Sequence, residues 1–204
     1  MIALVNYGLG NIQAFANIYH RLNIPVAIAS TADELAGADK VILPGVGAFD
    51  WAMDLLNGSG MRECLDDLVI NKKRLVLGIC VGMQIMAKRS DEGVKPGLGW
   101  IDAEVKRFDD SHFEQDTHLP HMGWNDVEPL TDVDIFRNME GGWRFYFLHS
   151  YYFVPANDVD VLARTDYNGT YASAVRSGNV FGVQFHPEKS HRWGIHLLKN
   201  FAEL

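Results

Sequence analysis

The sequence is poor in the features that define several large classes of protein. Its two cysteines, Cys64 and Cys80, are too few for a disulfide framework or a four-thiolate zinc site. Eighteen Lys and Arg face 26 Asp and Glu; the net charge of −8, with no basic run, argues against broad contact with nucleic acid. No apolar run approaches the roughly 18 to 20 residues of a membrane span. The opening "MIALVNYGLGN" has no basic segment and its apolar run stops at Asn6, so it does not read as a secretory signal. The "GLGN" that follows lacks the spacing of a dinucleotide-binding or P-loop motif. Repeats and low-complexity tracts are absent. What is present is a globular composition, 48% apolar and 22% charged, over 204 residues, which is enough for one well-buried domain spanning 1–204. The expected setting is the cytoplasm, where thiols stay reduced and no membrane is involved.

The first half alternates short apolar runs with helical patterns. Strands are predicted at Ile2–Asn6, Val26–Ser30, Lys40–Gly45 and Leu75–Ile79. Helices are predicted after "GLGN", over Ala48–Asn57 and Met61–Ile70, and from Val81 to about Lys88. Buried strands alternating with helices imply an α/β fold with a mostly parallel sheet flanked by helices. Ligands of such folds bind beyond the carboxyl ends of the strands, so the loops after Asn6, Leu43 and Ile79 matter most. The second half carries alternating or aromatic-rich runs, among them "WRFYFLHSYYFV", "TYASAVRSG" and "NVFGVQF", which predict additional antiparallel strands before a terminal helix. Ser90–Gly99 and Asp109–His118 read as exposed loops.

Three segments carry chemistry. Gly78-Ile79-Cys80-Val81-Gly82 is a G-x-nucleophile-x-G elbow joining a strand to a helix, with cysteine as the nucleophile. A thiol there meets the positive end of the helix, which favours thiolate, and the N–H of Val81 is free to face an oxyanion. Taken alone, the segment fits a buried core cysteine equally well. Cys64, on the apolar face of "MRECLDDLVI", reads as core. In "GVQFHPEKSH", His186 and Glu188 are two apart, so on an extended backbone both project from one face, and Pro187 favours that backbone at His186. The pair supplies a base and the carboxylate that orients it. In "LPGVGAF", the Val46–Gly47 backbone offers a second oxyanion donor, although a plain strand-to-helix turn explains this segment by itself.

"PGVGAF", "GICVGMQ", "PHMGWN", "FYFLHSY" and "GVQFHPEKS…LLKNF" occur in that order across almost the whole chain. Together they closely resemble the class I (triad) glutamine amidotransferases. "NYGLGN" and "PHMGWN" resemble most the branch formed by the glutaminase subunits of imidazole glycerol phosphate synthases. The resemblance implies a flavodoxin-like class I amidotransferase fold and a Cys80–His186–Glu188 triad. Cys80 would attack the side-chain amide of L-glutamine. Backbone N–H groups of Val81, Val46 and Gly47 would hold the oxyanion. Gln84 and Glu92, with the backbone of His149, Ser150 and Tyr151, would bind the substrate. No cofactor and no metal are implied, and His112, His118 and His121 show no ligand spacing.

The resemblance also implies a heterodimer with a (β/α)₈-barrel synthase that receives the ammonia for histidine biosynthesis. Asn11, Trp124, Tyr146 and Lys189 match its partner-facing positions, with Trp124 equally suited to a core. Two departures keep a second client open. Asn6 stands where histidine-pathway members usually carry Asp, and the insertion-like "DDSHFEQDTH" precedes "PHMGWN"; "NYGLGNI" and "FHPEKSHRWG" resemble a paralogous branch that feeds ammonia to a surface-polysaccharide sugar. The alternatives from other classes are a stand-alone cysteine hydrolase and a non-catalytic regulatory subunit.

Overall fold

A computed structural model describes residues 1–113, 117–130, 134–139 and 141–204. The first half holds strands β1 (Ile2–Val5), β2 (Val26–Ala29), β3 (Lys40–Gly45) and β4 (Leu75–Cys80). Between and after them lie helices α1 (Ile12–Arg21), α2 (Ala32–Leu35), α3 (Phe49–Gly58), α4 (Arg62–Asp66) and α5 (Val81–Gln84). The second half adds β5 (Arg89–Ser90), β6 (Ala103–Arg107), β7 (His121–Asp126), β8 (Glu128–Pro129) and β9 (Arg144–His149). It continues through β10 (Tyr151–Pro155), β11 (Val161–Asp166), β12 (Thr170–Ser177) and β13 (Val180–Val183) to the terminal helix α6 (His191–Glu203).

Among the described residues the main sheet runs β2-β1-β3-β4-β13-β12-β10-β6-β5, with β11 paired onto β12 and β8 onto β11. Pairing is parallel from β2 through β4 to β13 and antiparallel from β13 to β6. β13 sits beside β4, although about 100 residues separate them in the chain. This register brings the segment after Val183 next to the segment after Ile79. Two apolar layers cover the sheet: Phe49, Leu56, Leu65 and Met83 lie in one, Phe15, Tyr19, Leu197 and Phe201 in the other. The α/β class and the added antiparallel strands agree with the sequence, and no described helix is long and apolar enough to cross a membrane.

Three local expectations differ from the structure. The helix predicted over Met61–Ile70 is a single α-turn segment that widens into a π-turn at Asp67–Asn71. The helix predicted to reach Lys88 stops at Gln84. Its following carbonyls are taken by the next loop: Leu98, Ile101 and Gly99 donate to the carbonyls of Ile85, Met86 and Ala87. The same bonds tie down the Ser90–Gly99 loop, whose Leu98 is buried while Val94 is 95% exposed. The predicted loop at Asp109–His118 lies partly outside the described residues.

Candidate active site

β4 passes into α5 without an intervening loop, and the change of direction falls on Cys80. Cys80 has φ 53° and ψ −113°, a backbone that costs a non-glycine residue about 1–3 kcal/mol and that persists only where neighbours hold it. Gly82 allows the turn to press against β3: a Cβ there would overlap the Leu43 carbonyl oxygen. The Cys80 side chain is buried. Its Sγ lies 3.9 Å from the carbonyl oxygen of Leu148, and the Gln184 side-chain amide donates to it across 3.7 Å. Val81 is the first residue of α5, so its N–H has no partner within the helix.

The candidate base comes from the segment after β13. His186 keeps an extended backbone (φ −103°, ψ 95°), and its N–H donates to the carbonyl of Tyr146 at 2.8 Å. Beyond it Pro187–Lys189 form a 3₁₀ turn, so the extended run ends sooner than the sequence indicates. Pairing survives the bend: His186 Nδ1 lies 2.9 Å from Glu188 Oε1, both side chains 1% exposed. Ser190 pins the turn by donating to the His186 carbonyl at 2.6 Å and accepting from Tyr146 N–H at 3.0 Å. Helix α6 packs close beneath, where a Cβ on Gly194 would overlap the Pro187 carbonyl. Among the described residues His186 Nε2 has no hydrogen-bond partner at ordinary bonding distance. Burial alone pulls the imidazole down, but the Cys80 sulfur and the Glu188 carboxylate outweigh it and lift its pKa to about 10. Burial, a thiol sulfur and a carboxylate therefore converge on one imidazole.

A cleft of about 240 Å³ opens over Cys80. It falls below the roughly 300 Å³ of drug-sized pockets and suits a ligand the size of one amino acid. Val46, Gly47, Val81, Gln84, Glu92, His149, Ser150 and Tyr151 line it with Cys80, joined by Pro120 and Leu148. Gln84 is buried and donates to the Tyr151 carbonyl at 3.0 Å and to Gln184 Oε1 at 3.1 Å. Glu92 accepts from Phe49 N–H at 2.9 Å, thereby capping α3, whose Ala48 cap has no side-chain acceptor. Burial raises the Glu92 pKa, partly offset by that bond. Gly47 takes φ +126°, and Val46 is 42% exposed at the cleft rim.

Of the expected partner-facing residues, three cluster. Trp124 pairs in register with Tyr146 across β7 and β9, Lys189 Nζ lies 5.5 Å from the Tyr146 ring centre, and Trp124 stacks on His191 at 5.2 Å. Trp124 is 39% exposed, which removes the core alternative. Asn11 caps α1, accepting from Ala14 N–H at 3.2 Å. Cys64 is half-buried against the core, as its helical position indicates. Two residues beside the thiol were missed from sequence. Gln184 stands two before His186, a spacing that signals a shared face. The Tyr7 hydroxyl, which is buried without a hydrogen-bond partner among the described residues, carries no such signal.

A family model for the class I glutamine amidotransferases matches residues 3–204. The chain belongs to the class I glutamine amidotransferase family. It is 58% identical over its whole length to the imidazole glycerol phosphate synthase subunit HisH of Bdellovibrio bacteriovorus, and 51% identical to that of Leptospira interrogans, each relative also covered in full. A third relative, HisH 2 of Pseudomonas aeruginosa, is 44% identical over the same span. The fold matches a crystal structure of a glutamine amidotransferase (TM-score 0.75, 21% identity, 100% of this chain and 99% of that one). It also matches a chain in the structure of PurLQS from Thermotoga maritima (TM-score 0.69, 21% identity, 99% and 97%). The chain is thus an amidotransferase enzyme by family.

Proposed function

We propose that the chain, as one amidotransferase domain over 1–204, is the glutaminase subunit of an imidazole glycerol phosphate synthase acting in histidine biosynthesis. The observation that carries the chemistry is the thiol at a strand-to-helix elbow beside a buried His186–Glu188 pair. The client reading is supported by full-length relatives at 44–58% identity that bear that synthase's name.

In this reading L-glutamine enters the cleft, and Cys80 Sγ attacks its side-chain amide carbon. His186 holds the thiol proton and passes it to the departing nitrogen, releasing ammonia and leaving a γ-glutamyl thioester. Glu188 keeps Nδ1 of His186 protonated and Nε2 turned toward sulfur and substrate. The oxyanion is held by the N–H of Val81 and by the Val46–Gly47 backbone. Water then attacks the thioester with His186 as base, and glutamate leaves. Gln84 and Glu92, with the Ser150–Tyr151 backbone, hold the amino-acid end.

Ammonia released into neutral water becomes mostly ammonium and stops being a nucleophile, so a partner must take it directly. That partner is a (β/α)₈-barrel synthase, bound as a heterodimer in the cytoplasm. Exposed Met122 and Trp124 on one face of β7, with Tyr146 and Lys189 beside them, form the apolar and cationic rim that docks it.

The test is glutamine turnover by the purified chain, alone and with the barrel subunit of the same organism. The expected result is weak activity alone and at least a tenfold rise in the complex, abolished in Cys80→Ala. Deletion of the gene should create a histidine requirement. Full growth without histidine, combined with activation by a sugar-amidating partner, would assign the surface-polysaccharide client instead.

A further inference from the structure

Behind the cleft lies a chain of polar side chains that the triad does not use. His121 on β7 faces His149 on β9 in register, and Tyr171 on β12 lies between them. Tyr171 Oη is 3.2 Å from His149 Nε2 and 3.2 Å from His121 Nδ1. His121 Nε2 lies 3.2 Å from the Asn125 amide nitrogen, and His149 Nδ1 lies 2.8 Å from the Tyr151 carbonyl oxygen. His121, Tyr171 and His149 are all buried.

The direction of every link follows from the two ends. A carbonyl only accepts, so His149 carries its proton on Nδ1, and in the neutral ring Nε2 is an acceptor. Tyr171 therefore donates its hydroxyl proton to His149, which leaves its oxygen to accept from His121 Nδ1–H. His121 Nε2 is then an acceptor and takes a proton from the Asn125 amide. The Asn125 amide is itself fixed, since its nitrogen also donates to the Asp166 carbonyl at 2.8 Å and its oxygen accepts from Asp126 N–H at 2.8 Å. Each group has one consistent role. Burial holds both imidazoles neutral, with pKa values near 4 for His121 and near 3 for His149. His121 is further clamped between the Phe147 and Tyr167 rings at 4.6 and 3.9 Å.

The inner end is the carbonyl of a cleft residue. Tyr151 accepts from both His149 and Gln84, so the relay and a second cleft side chain fix one peptide group. The outer end adjoins Trp124 on the exposed strand. We propose that Asn125, His121, Tyr171 and His149 form a one-directional hydrogen-bond relay that positions the Ser150–Tyr151 wall of the glutamine cleft from the outer strand β7. This rests on reading the cleft as the glutamine site. The relay residues touch no reacting atom, so they are positioning residues.

The full-length chain labelled with ¹⁵N-histidine tests the relay without reference to activity. Both His121 and His149 should carry the proton on Nδ1, although a free imidazole favours Nε2; an Nε2–H tautomer at either residue overturns the relay. Peaks of His121 are assigned by their loss in His121→Phe, which keeps a ring between Phe147 and Tyr167. The second arm measures glutamine kinetics in the complex with the barrel subunit. Tyr171→Phe should raise KM about tenfold with kcat within about threefold, because the wall is displaced while the triad is intact. His121→Phe leaves the inner links in place and should raise KM about threefold. If Tyr171→Phe does not fold, the His121→Phe split decides. Unchanged KM in a folded variant, or a fall confined to kcat, overturns the positioning role. No glutamine turnover by the wild-type complex would instead bring down the reading of the cleft, and with it the relay's role toward glutamine, leaving the tautomer result to stand by itself.

Discussion

One buried histidine and a buried histidine pair flank the same cleft and are tuned in opposite directions. At the triad corner, His186 faces a sulfur and a carboxylate, and these raise it to about 10 in spite of burial. At the relay corner, His149 and His121 face no anion among the described residues, and burial takes them down to about 3 and about 4. The residue type is the same and both corners are buried, so the partners decide. In the proposed mechanism one corner carries charge through the reaction, and the other keeps charge out of the wall proposed to hold the substrate.

The strongest way to break the contrast is to remove the sulfur. Cys80→Ala should lower glutamine turnover in the complex by about 10⁴-fold or more, with circular dichroism unchanged, since the residual rate owes nothing to a thioester. Glu188→Gln comes next. It should cost roughly 10²- to 10³-fold in kcat/KM, and loss of the carboxylate should lower the His186 pKa, moving the alkaline limb of the pH–rate profile to lower pH. An alkaline limb that stays in place would show that Glu188 does not set the charge on His186.

Stability against pH sharpens the comparison further. The His186 contribution is fully present below its unfolded pKa of about 6.5 and is lost as pH rises through about 10. The depressed pair behaves in the reverse sense: its contribution is present above about 6.5 and is lost as pH falls toward about 4 and about 3. Each buried imidazole on the acid side gives a slope of up to about 1.4 kcal/mol per pH unit, seen in denaturant midpoints taken from pH 4 to 10. His121→Phe should flatten the acid limb and leave the alkaline one alone. The smallest effect is expected at the surface. Trp124→Ala should weaken binding of the barrel subunit by about 2 kcal/mol, measured by calorimetry, with little change in the unfolding midpoint.

The two corners also differ in how far the sequence revealed them. Cys80, His186 and Glu188 lie in segments whose local pattern suggests a role once they are read together: an elbow between glycines, which alone fits a core cysteine equally well, and a histidine two residues from a carboxylate. The end of β3 is equally legible, because Pro44-Gly45 stops the strand where the structure ends it. The relay left no such trace. Asn125, His121, Tyr171 and His149 meet only because β7 pairs with β9 and β12 lies behind them, and register between distant strands is not written in any local pattern. The shortened helix after Cys80 was hidden for a related reason. Its spacing is helical, but the loop at 97–101 claims its carbonyls, which no window around Val81 can anticipate.

The crowding at Gly82 and Gly194 has a consequence for anyone randomising this protein. Each stands where a single added carbon would meet a backbone carbonyl, of Leu43 in one case and Pro187 in the other, and neither carbonyl belongs to a side chain that can rotate away. In a saturation library selected for growth, both codons should therefore return as glycine regardless of which other positions have drifted. A compensating second-site change would have to move a strand or a turn, and thereby the thiol or its base. The geometry of the proposed triad is thus guarded by two residues that contribute no functional group at all.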